Sequence, residues 1–144
     1  MESLGLQLSE EELNLMREAG YSSKAIRLYV NKTNVGKLES PDAVSTYFGP
    51  CGDLIRLYLK INYNKIEDAK FFYLGCPGAA ASASAMTTLL RGKTLDEARK
   101  LNEEDILNEL EGLPKSKVDC LTLSIRSLKK IIQEYEKIKG SSIK

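Results

Sequence analysis

A chain of 144 residues is about one domain long, enough to bury a substantial core. Its 42% hydrophobic and 28% charged residues exclude collagen-like, mucin-like and wholly disordered classes. Lys and Arg total 21 against 20 Asp and Glu, so the net charge of +1 lacks the positive excess on which a dedicated nucleic-acid binder depends.

No apolar run is long enough to span a bilayer, and Glu2, Glu10, Glu11 and Glu12 stand where a secretory leader would be basic and then apolar. The expectation is a cytoplasmic protein with no membrane contact. Ser9 and Glu12 have the spacing of a capping box, Leu13, Met16 and Ala19 share a helical side, and Gly20 stops the turn. A second short helix starts at Ser22 or Ser23 and carries Ala25, Ile26 and Tyr29, followed by a polar loop from Asn31 to Gly36.

After Pro41 the period changes. Val44, Thr46 and Phe48 alternate with Ser45 and Tyr47, and Gly49-Pro50-Cys51-Gly52-Asp53 reads as a turn. Ile55, Leu57, Leu59 and Ile61 alternate with polar neighbours, and a turn at Asn62 to Lys65 leads into Ile66 to Leu74, predicting an antiparallel hairpin. Gly75-Cys76-Pro77-Gly78 opens an Ala- and Ser-rich helix to Leu90, with proline suited to its first turn. Thr94 with Glu97 caps a helix through Leu101, and Asn102 with Asp105 caps another through Leu110. Leu113-Pro114 breaks the chain before Leu121, Ile125, Leu128, Ile132 and Tyr135 mark a long amphipathic helix. The fold class is α+β: a small antiparallel three-stranded sheet packed against helices, with a long C-terminal helix and an extra N-terminal helical arm. The expected organisation is a helical extension over residues 1–20, a main domain over 21–139 and a frayed tail over 140–144.

The chain contains no histidine, which removes the usual neutral-pH base and every imidazole ligand. Its three cysteines cannot all pair as disulfides, so free thiols or metal ligands are expected. Each sits at a junction: Cys51 in the Gly-Pro turn, Cys76 where strand meets helix, Cys120 near the start of the last helix. Helix starts favour thiolate at Cys76 and Cys120. Asp53 and Asp119 accompany two of the thiols, and three sulfurs with one carboxylate suit zinc or an iron-sulfur cluster. On spacing alone, three small buried hydrophobes with turn and cap aspartates is an equally open reading.

Tyr47-Phe48-Gly49-Pro50-Cys51-Gly52-Asp53, Leu74-Gly75-Cys76 before the Ala/Ser helix, Gly92-Lys93-Thr94-Leu95-Asp96-Glu97-Ala98, and Leu113-Pro114 ahead of Cys120 resemble the U-type iron-sulfur cluster assembly scaffolds, the IscU proteins and the N-terminal domain of NifU. The resemblance runs from about Tyr21 through Tyr135, and Asn34-Val35-Gly36 fits an early loop of the family. It implies a non-enzymatic scaffold that builds a labile [2Fe-2S] cluster from iron and desulfurase-derived sulfur and passes it to acceptor proteins. It also implies Cys51, Cys76 and Cys120 as ligands, Asp53 as the aspartate associated with cluster lability, and Tyr21 as a tyrosine implicated in scaffold pairing. Its partners would be a cysteine desulfurase and cluster acceptors, with a homodimer on cluster loading.

Two departures stand out. The IscU kind usually carries histidine immediately before the last cysteine, where this chain has Asp119, so the fourth ligand is open between Asp53 and Asp119. The loop Leu113-Pro114-Lys115-Ser116-Lys117 lacks the second proline and the valine of the chaperone-binding form, which argues against docking of an Hsp70-type chaperone. Lys117 falls where the family has lysine and has two readings, a charge balancing the site or a solvated surface residue. Cys120 is the candidate persulfide acceptor. The alternative function is a zinc-binding sulfur-transfer partner of a desulfurase, and a further one is a structural module that has lost the chemistry.

Overall fold

The computed structural model describes residues 7–50 and 52–143, with side chains described as far as residue 139. Cys51, the first of the expected ligands, lies outside the described residues. Helix α1 spans Glu10–Ala19 and begins with the expected capping box, Ser9 and Glu12 each satisfying the other's backbone N–H. Gly20 closes it in the left-handed conformation, φ 110, which L side chains adopt only under strain. None of its residues is buried, although Leu13 and Met16 lean on the core. Helix α2, Ser23–Val30, is capped by the Ser22 hydroxyl, which accepts from the Ala25 N–H and donates to the Leu110 carbonyl.

The sheet has the order β1-β2-β3, with β1 at Ala43–Phe48, β2 at Leu54–Asn62 and β3 at Lys65–Leu74, all antiparallel. Tyr63 and Asn64 both take positive φ, 52 and 64, which makes the tight two-residue connection of β2 to β3. Ile55, Leu57 and Leu59 of the central strand and Ile66, Ala69 and Phe71 of β3 are fully buried. A register shift at Lys60/Ile61 lets the two patterns stay on one face. The edge strands are both covered in part. Phe71 donates its N–H to the Asn34 carbonyl at 3.0 Å and accepts from Gly36 N–H at 2.8 Å, strapping the 34–36 loop to β3. On the other side Lys130 Nζ reaches the Thr46 carbonyl of β1 at 2.5 Å.

Helix α3, Pro77–Leu90, is buried at every position from Gly78 to Thr87. Alanine and serine make this possible, because small side chains let β3, α2, α5 and α6 all approach one helix. Helices α4, Leu95–Arg99, and α5, Glu103–Leu110, both begin with the expected capping boxes. Helix α4 ends two residues before the expected Leu101, because Leu101 turns into the core and Asn102 is already the cap of α5. A 3-10 turn over Lys115–Lys117, not foreseen from the sequence, joins Pro114 to α6, Val118–Ile143. Leu121, Leu128, Ile131 and Ile132 of α6 complete the core against the sheet and α3. The α+β class, the three-stranded sheet and the long last helix are as read from the sequence. Among the described residues no helix is long and apolar enough to cross a membrane.

Candidate functional site

Three junctions meet at the end of the sheet where β1 turns into β2. The Gly49 N–H donates to the Asp53 carbonyl at 2.8 Å, closing that turn and directing the Asp53 side chain inward. Gly49 and Gly75 make room for it: a Cβ on Gly49 would stand 2.9 Å from Asp53 Cγ, and one on Gly75 would stand 3.3 Å from Asp53 Cβ. Asp53 Oδ1 is buried and has no hydrogen-bond partner among the described residues. A buried acceptor left in this way is normally compensated by a ligand, a proton or a cation.

The second junction is Cys76, the N-cap of α3, with extended φ −87 and ψ 170. The third is Cys120 on the first turn of α6. Their sulfurs lie 3.6 Å apart, although 44 residues separate them in the chain. Cys76 is half-buried and Cys120 is 9% exposed. Gly78 permits the approach of α3 to α6, since a Cβ there would meet Cys120 Sγ at 3.1 Å and Lys117 Cβ at 3.2 Å.

The pair is electrostatically asymmetric. The hydrogen bond from the Cys120 thiol holds Cys76 well below the usual thiol range, helped by the Ala79 and Gly78 amides and the Lys117 ammonium and opposed by burial. Cys120 is pushed up, first by that same hydrogen bond and then by burial, by the negative Cys76 and by Asp53. Thiolate character therefore sits on Cys76, not on both helix-start cysteines as the dipole argument alone suggests. Two buried thiols in contact do not both ionise. Lys117 lowers both sulfurs and is half-buried, so of its two readings the charge-balancing one fits its position.

Tyr21 is 9% exposed, and its phenol is pushed up to about 12, first by burial and then by the negative charge carried by the Cys76–Cys120 pair. It forms a wall of the thiol pair. Asp119 is exposed and lines, with Tyr47, Pro50, Asp53, Cys120 and Arg126, an open groove of about 320 Å³. The groove brings both candidate aspartates beside Cys120. The sequence marks Tyr47 only as a strand and motif residue and does not single out Arg126; Arg126 lies seven residues after Asp119, on the same face of α6, which is the available signal. Among the described residues, of which Cys51 is not one, no three Cys, Asp or Glu side chains gather closely enough to hold a metal ion. What is assembled among the described residues is a thiol–thiolate pair beside a lysine ammonium and a carboxylate oxygen without a hydrogen-bond partner, so soft and hard donors stand together.

Comparison with known proteins places the chain in a family. The chain is 40% identical over 121 residues to the iron-sulfur cluster assembly scaffold protein IscU 1 of Archaeoglobus fulgidus, covering 83% of this chain and 79% of the relative. It is 41% identical over 125 residues to the scaffold protein IscU of Azotobacter vinelandii, covering 83% and 97%. The crystal structure of the N-terminal part of a NifU-like protein from Brucella abortus has the same fold, with a TM-score of 0.67, 24% identity and coverage of 85% and 98%. The sequence pattern described as NifU-like N terminal domain matches residues 20–142, and the chain belongs to that family.

Proposed function

We propose that this protein is a scaffold on which an iron-sulfur cluster is assembled and from which it is handed to acceptor proteins. The observation that carries the reading is the contact of Cys76 with Cys120 beside the buried, unpartnered Asp53 oxygen. Cys51, Cys76 and Cys120 supply soft thiolate donors, and Asp53 supplies a hard oxygen that holds iron less firmly than a fourth thiolate. Asp119, at the groove rim, is the second candidate for that position. The [2Fe-2S] type is the one the family resemblance implies, and a four-donor set accommodates it.

Sulfur reaches the thiol pair as a persulfide from a cysteine desulfurase. Cys120 is the landing site expected from its place at a helix start after the Pro114 loop, and Cys76, the more exposed and more thiolate-like sulfur, competes with it. Anaerobic incubation with ferrous iron, cysteine and a desulfurase is expected to give a coloured, iron-bearing protein. A colourless chain without bound iron overturns the proposal.

A further inference from the structure

Two sulfurs in van der Waals contact offer a reaction that a single landing thiol does not. The 3.6 Å separation of Cys76 Sγ and Cys120 Sγ is a contact from which an S–S bond forms with a small closing motion. If either sulfur carries a persulfide, its inner sulfur is the atom whose position the fold fixes, and the other cysteine already faces it. Lys117 places positive charge beside both.

Building on the reading of this pair as the landing place for desulfurase sulfur, we propose that in the absence of bound iron the pair discharges a persulfide as sulfide by closing a Cys76–Cys120 disulfide. The attacking Sγ donates an electron pair to the inner sulfur, and the Sγ–Sγ bond forms. The bond between inner and outer sulfur breaks, and the outer sulfur leaves with its electron pair as hydrosulfide. When the attacker starts as a thiol, its proton goes to the departing sulfide. The attacking sulfur is oxidised from the thiol to the disulfide level, and the sulfane sulfur is reduced to sulfide, so the dithiol is itself the two-electron reductant. The persulfide is the only co-reactant, and a small dithiol reopens the bond. Lys117 stabilises the negative charge as it moves to the leaving group. Iron held by the same sulfurs blocks the reaction, so sulfur delivered without iron is released and does not accumulate on the protein.

The test uses the full chain, charged anaerobically by a cysteine desulfurase and L-cysteine, or by glutathione persulfide, and then separated from the donor. Intact mass, peptide mapping and a sulfide assay follow its fate. The added sulfur should disappear in a first-order process, independent of protein concentration, as one sulfide is released and a Cys76–Cys120 cross-link appears. Cys76→Ser and Cys120→Ser should each keep the added sulfur. A persulfide that persists in the parent as long as in the two serine variants, a cross-link through Cys51, or failure of both donors to charge the chain overturns the proposal. Chemical loading with ferrous iron and inorganic sulfide under a dithiol tests the scaffold reading separately: a chromophore on loading with no cross-linking in the iron-free discharge assay rejects only the discharge reaction, and cross-linking in that assay with no chromophore on loading rejects only the scaffold.

Discussion

The Asn34 side-chain amide donates to Thr87 Oγ1 at 2.9 Å, tying the loop after α2 to the middle of α3. The same amide faces the Ser84 carbonyl at 3.3 Å, and Asn34 takes a left-handed φ of 66, which asparagine tolerates better than most residues. Asn34→Ala removes both the partner and the backbone preference and should cost about 1–3 kcal/mol. Chemical denaturation checks this, and an unchanged midpoint contradicts it.

Thiolate on Cys76 persists above its lowered pKa and is lost only as pH falls through that lowered value. Its rate of alkylation by iodoacetamide should therefore stay nearly flat across the neutral range and drop in mild acid. Cys120→Ala removes the thiol that leads the shift, so the profile should move toward that of an ordinary cysteine. Peptide-resolved alkylation against pH reads both curves, and coincident profiles would contradict the pairing.

Gly78→Ala sets two effects against each other. Alanine gains up to about 1 kcal/mol of helix propensity, while a Cβ 3.1 Å from Cys120 Sγ and 3.2 Å from Lys117 Cβ overpacks the contact of α3 with α6. Overpacking of this kind costs about 1–3 kcal/mol, so a net loss is expected. Oxidative cross-linking of Cys76 to Cys120 should also slow, whereas a substitution that merely stabilised the helix would leave it unchanged.

Asp53→Ala deletes a buried oxygen that has no hydrogen-bond partner among the described residues. The metal-free chain should hold its stability or gain up to about 1 kcal/mol, while a cluster loaded on Asp53→Cys, with a fourth thiolate in place of the oxygen, should pass more slowly to an acceptor. Thermal melting of the metal-free form and transfer to an apo-ferredoxin measure the two halves. A marked loss of metal-free stability contradicts the assignment.

Burial works against ionisation of Asp68, but the Arg91 guanidinium and the Ala69 N–H outweigh it and hold the carboxyl below the usual range. A lowered pKa gives stability that is present above the unfolded value and lost as pH falls through the folded one. With side chains 36% and 39% exposed, solvent screens the pair to about 1 kcal/mol or less. Arg91→Met should lower stability modestly at neutral pH, and the difference should vanish in acid.

Local signals carried much of the fold. Ser9 with Glu12, Thr94 with Glu97 and Asn102 with Asp105 are reciprocal caps whose partners lie three residues apart, so adjacent sequence suffices to place them. The alternation from Ile55 to Ile61 was legible for the same reason. Lys115–Lys117 was not, because a 3-10 turn has no periodicity of its own and here depends on Pro114. At the site, spacing and resemblance marked out the cysteines and Asp53. The division of charge between Cys76 and Cys120 was hidden, since it arises from one contact between segments far apart in the chain. Tyr21 was noted for pairing, yet its burial against both sulfurs is a property of packing that no neighbouring residue announces.

Lys130 bears on how other proteins meet this one. Its ammonium, anchored on α6, occupies a main-chain acceptor of β1 that an incoming strand would otherwise use. Extending the sheet by a foreign strand along that border would require expelling a charged group from its carbonyl. At that border, recognition by side chains is thereby favoured over backbone zippering.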